Sequence, residues 1–491
     1  MKTLPIVKAG VGGGATLLLA GFLAAAPAAQ AWAGTTVPCK TGKLIAAINA
    51  ANTAGGGTIS LAWGCHYALT SADNGENGLP VITTRITVNG NHATIDGTGK
   101  VRVFEVDGPG GNLSLQDVTI TGGSADIGGG IENSGGTVTL NRSRVTGNTA
   151  TEAGGGIASA TVDPSSVAKL TLNKSEVTGN SQTLNPQAGG LGGGGIANVL
   201  GTVTLNRSQV DGNTAAGLVG GGIASGDYVD TPPSNPSSSL TLNGSQVDDN
   251  SAPNAGGGGI QNLLGTAVLN SSQVDGNTSL NGGGISSGNG NGGVPPGTSQ
   301  LILNNSRVDG NTATAPVPTP GPGSGPPVAA GGIANGGNAV LSNSQVDHNT
   351  AEFTSGAGIV NHGTMTLNKS EVNGNTAAGS GVDASGGGIL NAQGGPGSVP
   401  TTLTLNFSQV SYNRAGGDGG GIANGSSEPG PPPLIGGTVT LNHSQVKGNT
   451  AGVGGGGIFN NHGTVTLTAT SVTGNNPDNC EPTGTIVGCT N

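Results

Sequence analysis

Five aspartates recur at one fixed place in a repeated phrase. Asp211, Asp248, Asp275, Asp309 and Asp347 each lie six residues after the Leu of a T-L-N-like tripeptide, and Asp249 stands beside them. If the repeats stack as strands about 4.8 Å apart, these carboxylates form a row of like charges that a divalent cation would relieve. They are the metal candidates of this chain, and calcium is the ion they would take. A row of single oxygens nevertheless falls short of the roughly 6–8 ligands calcium prefers. A solvated acidic corner is therefore the preferred expectation, with no cofactor. A second row is basic: Arg142, Lys174 and Arg207 sit two residues after the Leu in neighbouring repeats. It would touch an anionic sugar or simply face water. The six histidines (66, 92, 348, 362, 443 and 462) share no spacing. No nucleophile motif, HExxH or phosphate loop occurs, and the Gly runs are corners rather than phosphate cradles. No catalytic residue is expected. The rival is a polysaccharide lyase or glycoside hydrolase whose groove follows Asp211 to Asp347, because such chemistry works through carboxylates flanking a glycosidic bond.

The phrase that positions these residues is GGGI, a spacer, then TVTLN-x-S-x-V-x-G-N. Its eleven anchor leucines are Leu140, Leu172, Leu205, Leu242, Leu269, Leu303, Leu341, Leu367, Leu405, Leu441 and Leu467. Gaps between anchors run from 26 to 38 residues; the shortest is the unit and the excess is insertion. Five residues after each anchor is Val, from Val145 to Val472. Eight after it is Asn: Asn148, Asn180, Asn213, Asn250, Asn277, Asn311, Asn349, Asn375, Asn413, Asn449 and Asn475. With 98 Gly and 27 Pro in 491 residues, composition alone suggests disorder. Phase-locked aliphatics argue instead for stacked repeats.

In the clean unit from 128 to 148, three β-type runs surround Ile131, Val138–Leu140 and Ser143–Val145. Alternation turns Val138 and Leu140 inward and Thr137 and Thr139 outward. Three strands and three corners close one coil, and stacking places Ile over Ile, Leu over Leu and Val over Val. Asn suits the corners because it tolerates the left-handed conformation, and its side chains would hydrogen-bond along the axis. Two less regular coils precede the array. One is Leu113–Ile120, with Gly123 in the Asn place; the other uses Ile86–Val88 and Thr94–Ile95. Upstream, Thr41 would cap a helix from Lys43 to Asn52 whose Leu44, Ile48 and Ala51 plug one end of the core. The tail after Asn475 would close the other end.

The pairing of GG-x-I with V-x-G-N resembles the repeats of chlamydial polymorphic outer-membrane proteins, with Gly in place of their Ala and Val in place of their Phe. It is similar also to secreted bacterial right-handed parallel β-helix repeat proteins. The resemblance covers about residues 100–476. It implies an all-β, right-handed parallel β-helix of about twelve to fourteen coils and, from the chlamydial family, an adhesive role. Only 16 residues follow Asn475, too few for that family's barrel, so its anchoring mode is not implied. The β-helix is also the scaffold of pectate lyases and polygalacturonases, which is the source of the enzyme alternative.

The chain divides into a signal peptide (1–33), an N-terminal cap (34–85), β-helix repeats (86–475) and a disulfide-closed tail (476–491). Lys2 and Lys8 precede the apolar run Ala15–Ala26, and Ala31-Trp32-Ala33 gives an A-x-A cleavage pattern. Cys39, Cys65, Cys480 and Cys489 form one close pair at each end, so Cys39–Cys65 and Cys480–Cys489 are the natural bridges of a secreted chain. Sixteen basic residues against a net charge of −10 make no phosphate-binding patch, so no nucleic-acid partner is expected. No transmembrane segment remains after cleavage, and a monomer is expected. The function expected is a secreted, non-catalytic protein of extracellular or cell-surface interaction. Its ligand would be a polysaccharide or a host or cell surface. A remoter alternative is an ice-binding Thr array, from Thr-x-Thr pairs such as Thr364/Thr366 and Thr438/Thr440. Nine Asn-x-Ser sequons follow from the repeat itself.

Overall fold

The structure is a computed structural model. It describes residues 36–161, 163–183, 192–226, 238–288, 299–314, 329–353, 356–379, 384–393, 400–425 and 436–491. The expected signal peptide (1–33) and most of the Pro-rich insertions lie outside the described residues.

One coil runs through the strands Ile131–Ser134, Thr137–Asn141, Arg144–Thr146 and Thr149–Ala153. Every such strand pairs in parallel with its counterpart in the neighbouring coils, giving sheets of 26, 11 and 13 strands. The TVTLN and R/Q-V-D strands share the largest sheet. Registry is residue for residue: Leu140 pairs with Leu172, Val145 with Val177 and Ile131 with Ile157. The three aliphatic rows are buried from coil to coil up to the last one, each buried side chain contributing roughly 1.5–3 kcal/mol. The expected solenoid is present, with one addition. A fourth strand, the Thr-Ala pair after the ladder Asn, builds the 11-stranded sheet with Ala150, Ala215, Ala313 and Ala351 buried. Its signal was the recurrent N-T-A, too short to stand out by periodicity.

The asparagine row corrects a second expectation. Asn148 and its equivalents do not adopt the left-handed conformation. Positive φ belongs to the residue just before, as at Gly147 (φ 63°), and to the residue two after the anchor, as at Arg142 (φ 48°). The asparagines are instead buried. In each, Oδ1 accepts both the backbone N–H and the Nδ2–H of the preceding Asn, at 2.9–3.0 Å between Asn148 and Asn180. Nδ2 also donates to a Val carbonyl one coil back, as Asn277 does to Val247 at 2.8 Å. The row continues to Asn475, which reaches Asn479, and begins where Gly123 donates to Asn148. Gly runs lie against it: a Cβ on Gly130 would meet the Gly156 carbonyl at 2.7 Å and the Asn148 amide at 3.1 Å.

The ends are closed unequally. The helix Thr41–Thr53 buries Leu44, Ile48 and Ala51 in the core. Thr41 does not cap it; Lys40 is the N-cap residue and the Thr41 hydroxyl donates to the Ala68 carbonyl at 2.8 Å. Both expected disulfides are formed, Cys39–Cys65 and Cys480–Cys489. At the far end Cys480–Glu481 pairs with the Ile458–Asn460 strand, and Ile486 packs on the core. The tail does not cover the largest sheet, where the last strand, Thr464–Thr468, leaves Val465 and Leu467 only partly buried.

The amide row makes a local prediction. Asn277→Ala removes the acceptor of the Asn250 backbone N–H. Leaving that donor unpaired should cost about 1–3 kcal/mol. Amide exchange at Asn250 should therefore accelerate about 10–100-fold, measured by hydrogen exchange, with the terminal coils unchanged.

Candidate functional site

Two corners flank the Val strand, and both use left-handed backbone. At the position seven after the anchor, eight of the eleven copies carry Gly, which accepts positive φ without strain. Asp249, His348 and Tyr412 take the same conformation with φ of 53°, 52° and 57°. Non-glycine residues held there carry strain, which concentrates at functional positions. Each leans over the Gly of the next coil. Asp249 Oδ1 lies 2.4 Å from where a Gly276 Cβ would stand, and the His348 and Tyr412 rings lie within 2.9 Å of the same point on Gly374 and Gly448. The neighbouring Gly is what makes room for the large residue.

The five aspartates come together as the spacing predicts. Asp211, Asp248, Asp275, Asp309 and Asp347 pair in unbroken register, and Asn373 takes the next place. They are not a solvated outward row, however. Asp347 is 7% exposed and the others are half-buried. The carboxylates cap the backbone of the following coil: Asp275 N–H donates to Asp248 Oδ1 at 3.2 Å, and Asn373 N–H to Asp347 Oδ1 at 3.1 Å. Of the five, only Asp309 is paired with a cation, Arg307 at 2.6 Å, and its other oxygen lies 3.0 Å from the His348 ring nitrogen. Burial, and then the adjacent Asp275, push the Asp248 carboxyl up to about 6. Burial likewise takes Asp347 to about 6. Asp211 and Asp275 are raised too, by burial first and neighbouring acids second. Among the described residues no three His, Cys, Asp or Glu side chains converge as a metal site requires. Asp248 and Asp347 each turn an oxygen to backbone, whereas Asp275 Oδ1 is buried without a hydrogen-bond partner.

The basic row lies on the other corner. Arg142, Lys174 and Arg207 have φ of 48°, 49° and 50°, so they leave the coil in one direction. With Asn141, Asn173, Asn206 and Asn243 they line an open groove of about 480 Å³. These asparagines are a second ladder: Asn173, Asn206 and Asn243 each donate Nδ2–H to the Oδ1 one coil back at 2.9 Å. They are also sequon residues, and in Asn173, Asn206 and Asn243 one N–H of the glycosylatable nitrogen is already engaged. Further along the same corner Phe407 and His443 stack at 4.9 Å between ring centroids, with Phe407 61% exposed. The Thr pairs stack in register across the last coils, as Thr364, Thr402, Thr438 and Thr464 do.

Sequence reasoning passed over a fourth cluster. Arg102, 5% exposed, reaches Glu132 at 2.8 Å, Glu76 at 3.1 Å and Glu105 at 3.6 Å, and donates to Asn77 and to the Ile127 carbonyl. These residues lie in three different coils and the cap, so no spacing announced them. Asp249, His348 and Tyr412 were legible in part, since D-N, H-N and Y-N stand where the other repeats read G-N. The histidines otherwise stay dispersed, as their spacing implies.

In-register strands, capped coils and polar rows along the corners define the molecule as a parallel β-solenoid. Compared with known protein families, curated proteins and solved structures, the chain matches none of them. Its class therefore stands on its own geometry.

Two outcomes follow. For Asp248 the folded-state pKa lies above the unfolded value of 3.8. Its favourable contribution is thus complete below about pH 4 and is lost as pH rises through about 6. Asp248→Asn should raise resistance to unfolding at pH 7.5 by about 1–2 kcal/mol after allowance for solvent screening. The gain should vanish near pH 4 in paired melts. Arg102→Met should destabilise the N-terminal coils by about 2–4 kcal/mol, because three carboxylates lose their shared cation. Proteolysis near residues 76–132 would report it.

Proposed function

We propose that this chain is a secreted, non-catalytic interaction protein that presents its corner rows to an extended extracellular partner. The observation that carries this reading is the pair of strained corners. Bulky and charged side chains occupy positive-φ positions where they contribute nothing to the core, and the registry repeats them along the axis. A rigid scaffold with ordered surface rows is pre-organised for binding, since little freedom remains to be lost. Secretion is supported by the N-terminal basic and apolar pattern and by two disulfides, which persist in oxidising compartments. The likeness of the repeats to those of chlamydial surface proteins points towards adhesion.

A polysaccharide-active enzyme is the second reading. Asp248, holding a proton up to about pH 6, has the character of a general acid near neutrality. A glycan array, run beside assays for unsaturated products and new reducing ends on acidic polysaccharides, separates the two. Binding without cleavage is the expected result. Cleavage that disappears in Asp248→Asn would replace the binding reading with the enzyme.

A further inference from the structure

We propose that the groove over Arg142, Lys174 and Arg207 is a binding site for one stretch of an acidic polysaccharide. This rests on the interaction reading above and names its ligand class. Arg142 is held by Asp117 through two bonds of 2.9 Å, so its charge is already matched and it forms a fixed wall. Lys174 and Arg207 have no ion-pair partner among the described residues, and both are exposed. Two uncompensated cations therefore stand side by side on a chain whose net charge is −10. The groove floor adds donors. Asn173, Asn206 and Asn243 each spend one N–H on a neighbour and keep a second, and Lys and Arg can only donate. A surface of donors and cations selects an acceptor-rich anion.

The geometry narrows the class further. The cations repeat at the rung spacing, about 4.8 Å, which is close to the length one pyranose residue adds to an extended glycan. Four rungs, from Asn141 to Asn243, span about 14 Å, enough for a run of three sugars lying along the axis. The groove is open on its outer side, as a polymer needs. No aromatic ring lines it, which removes the stacking platform a single-stranded nucleic acid uses. Two free cations are also few against duplex DNA, with a charge every 1.7 Å or so. Beyond Arg207 the corner continues as Gly244 and Ser271, so the cationic subsite is confined to the first three repeats.

The test is a titration of the full secreted chain with a fluorescent oligogalacturonate, a sulfated dextran oligomer, a neutral dextran oligomer and duplex DNA. Lys174→Asn/Arg207→Asn keeps a residue type tolerant of positive φ, and Lys369→Asn, at the same corner position far along the rod, is the control. Binding of one acidic glycan, weakened at least tenfold in the double variant and unchanged in K369N, is expected. Weakening with added salt is also expected, because exposed charges are screened over about 8 Å at physiological ionic strength. The carboxylate and sulfate arms show which anion is preferred. Equal binding by neutral dextran, an unaffected double variant, or DNA bound as tightly as the glycans would each overturn the assignment. So would failure of both acidic oligomers to bind. In that last case a positive glycan array would leave the broader interaction reading standing.

Discussion

The buried amide row is the constraint on which the solenoid depends. A narrow coil must turn its backbone inside the core, where unpaired N–H groups cost more than the burial of a methyl returns. The Asn148-to-Asn475 row answers this at every turn, because one Oδ1 satisfies a backbone N–H and a side-chain N–H together. The two donors and one acceptor must coincide in three dimensions, so each coil is locked to the next in height and rotation. The same locking forces glycine beside the row, where Gly130 and its equivalents leave no space for a Cβ.

Once the interior is fixed so tightly, variation is pushed to the corners, and the corners carry the surface chemistry. Left-handed backbone at both corners aims side chains away from the coil in a common direction. The residues there change along the axis: cationic at Arg142, Lys174 and Arg207, aromatic at Phe407 and His443. The acidic seam on the intervening strand begins at Asp211, in the coil where the cationic row ends. Apart from Asp117 beside Arg142 and Arg307 beside Asp309, the two runs are thus segregated along the rod. Such segregation leaves local fields intact at distances where alternating signs would cancel.

The acidic seam shows how registry governs electrostatics. Strand stacking brings carboxylates together at a spacing they would not choose, and partial burial strips away the water that would screen them. At Asp248 and Asp347 one oxygen accepts a backbone N–H group, and burial raises both carboxyls to about 6. From the spacing alone a solvated acidic corner was the preferred expectation and calcium the alternative. The structure adds partial burial, which raises the carboxyl pKa values at Asp211, Asp248, Asp275 and Asp347.

The sequence by itself determined the solenoid, its rows and its disulfide pairing, because these are written as spacing: Leu, Val, Ile and Asn at constant offsets, and cysteines paired at each end. The capping helix was legible from Leu44, Ile48 and Ala51 for the same reason. Only the tertiary structure decided what joins residues across coils. The Arg102 cluster draws on Glu76, Glu105 and Glu132 at unrelated offsets, so no period could reveal it. The short Thr-Ala strand is too brief to show a period of two, and exists because its neighbours above and below hold it in line. Left-handed backbone fell on the residue before each ladder Asn, since the buried amide must face the axis and the turn has to be made one position earlier. Burial of Asp347 and the half-burial of Asp248 likewise depend on how closely adjacent coils approach, a distance that is set by packing and appears nowhere in the order of residues.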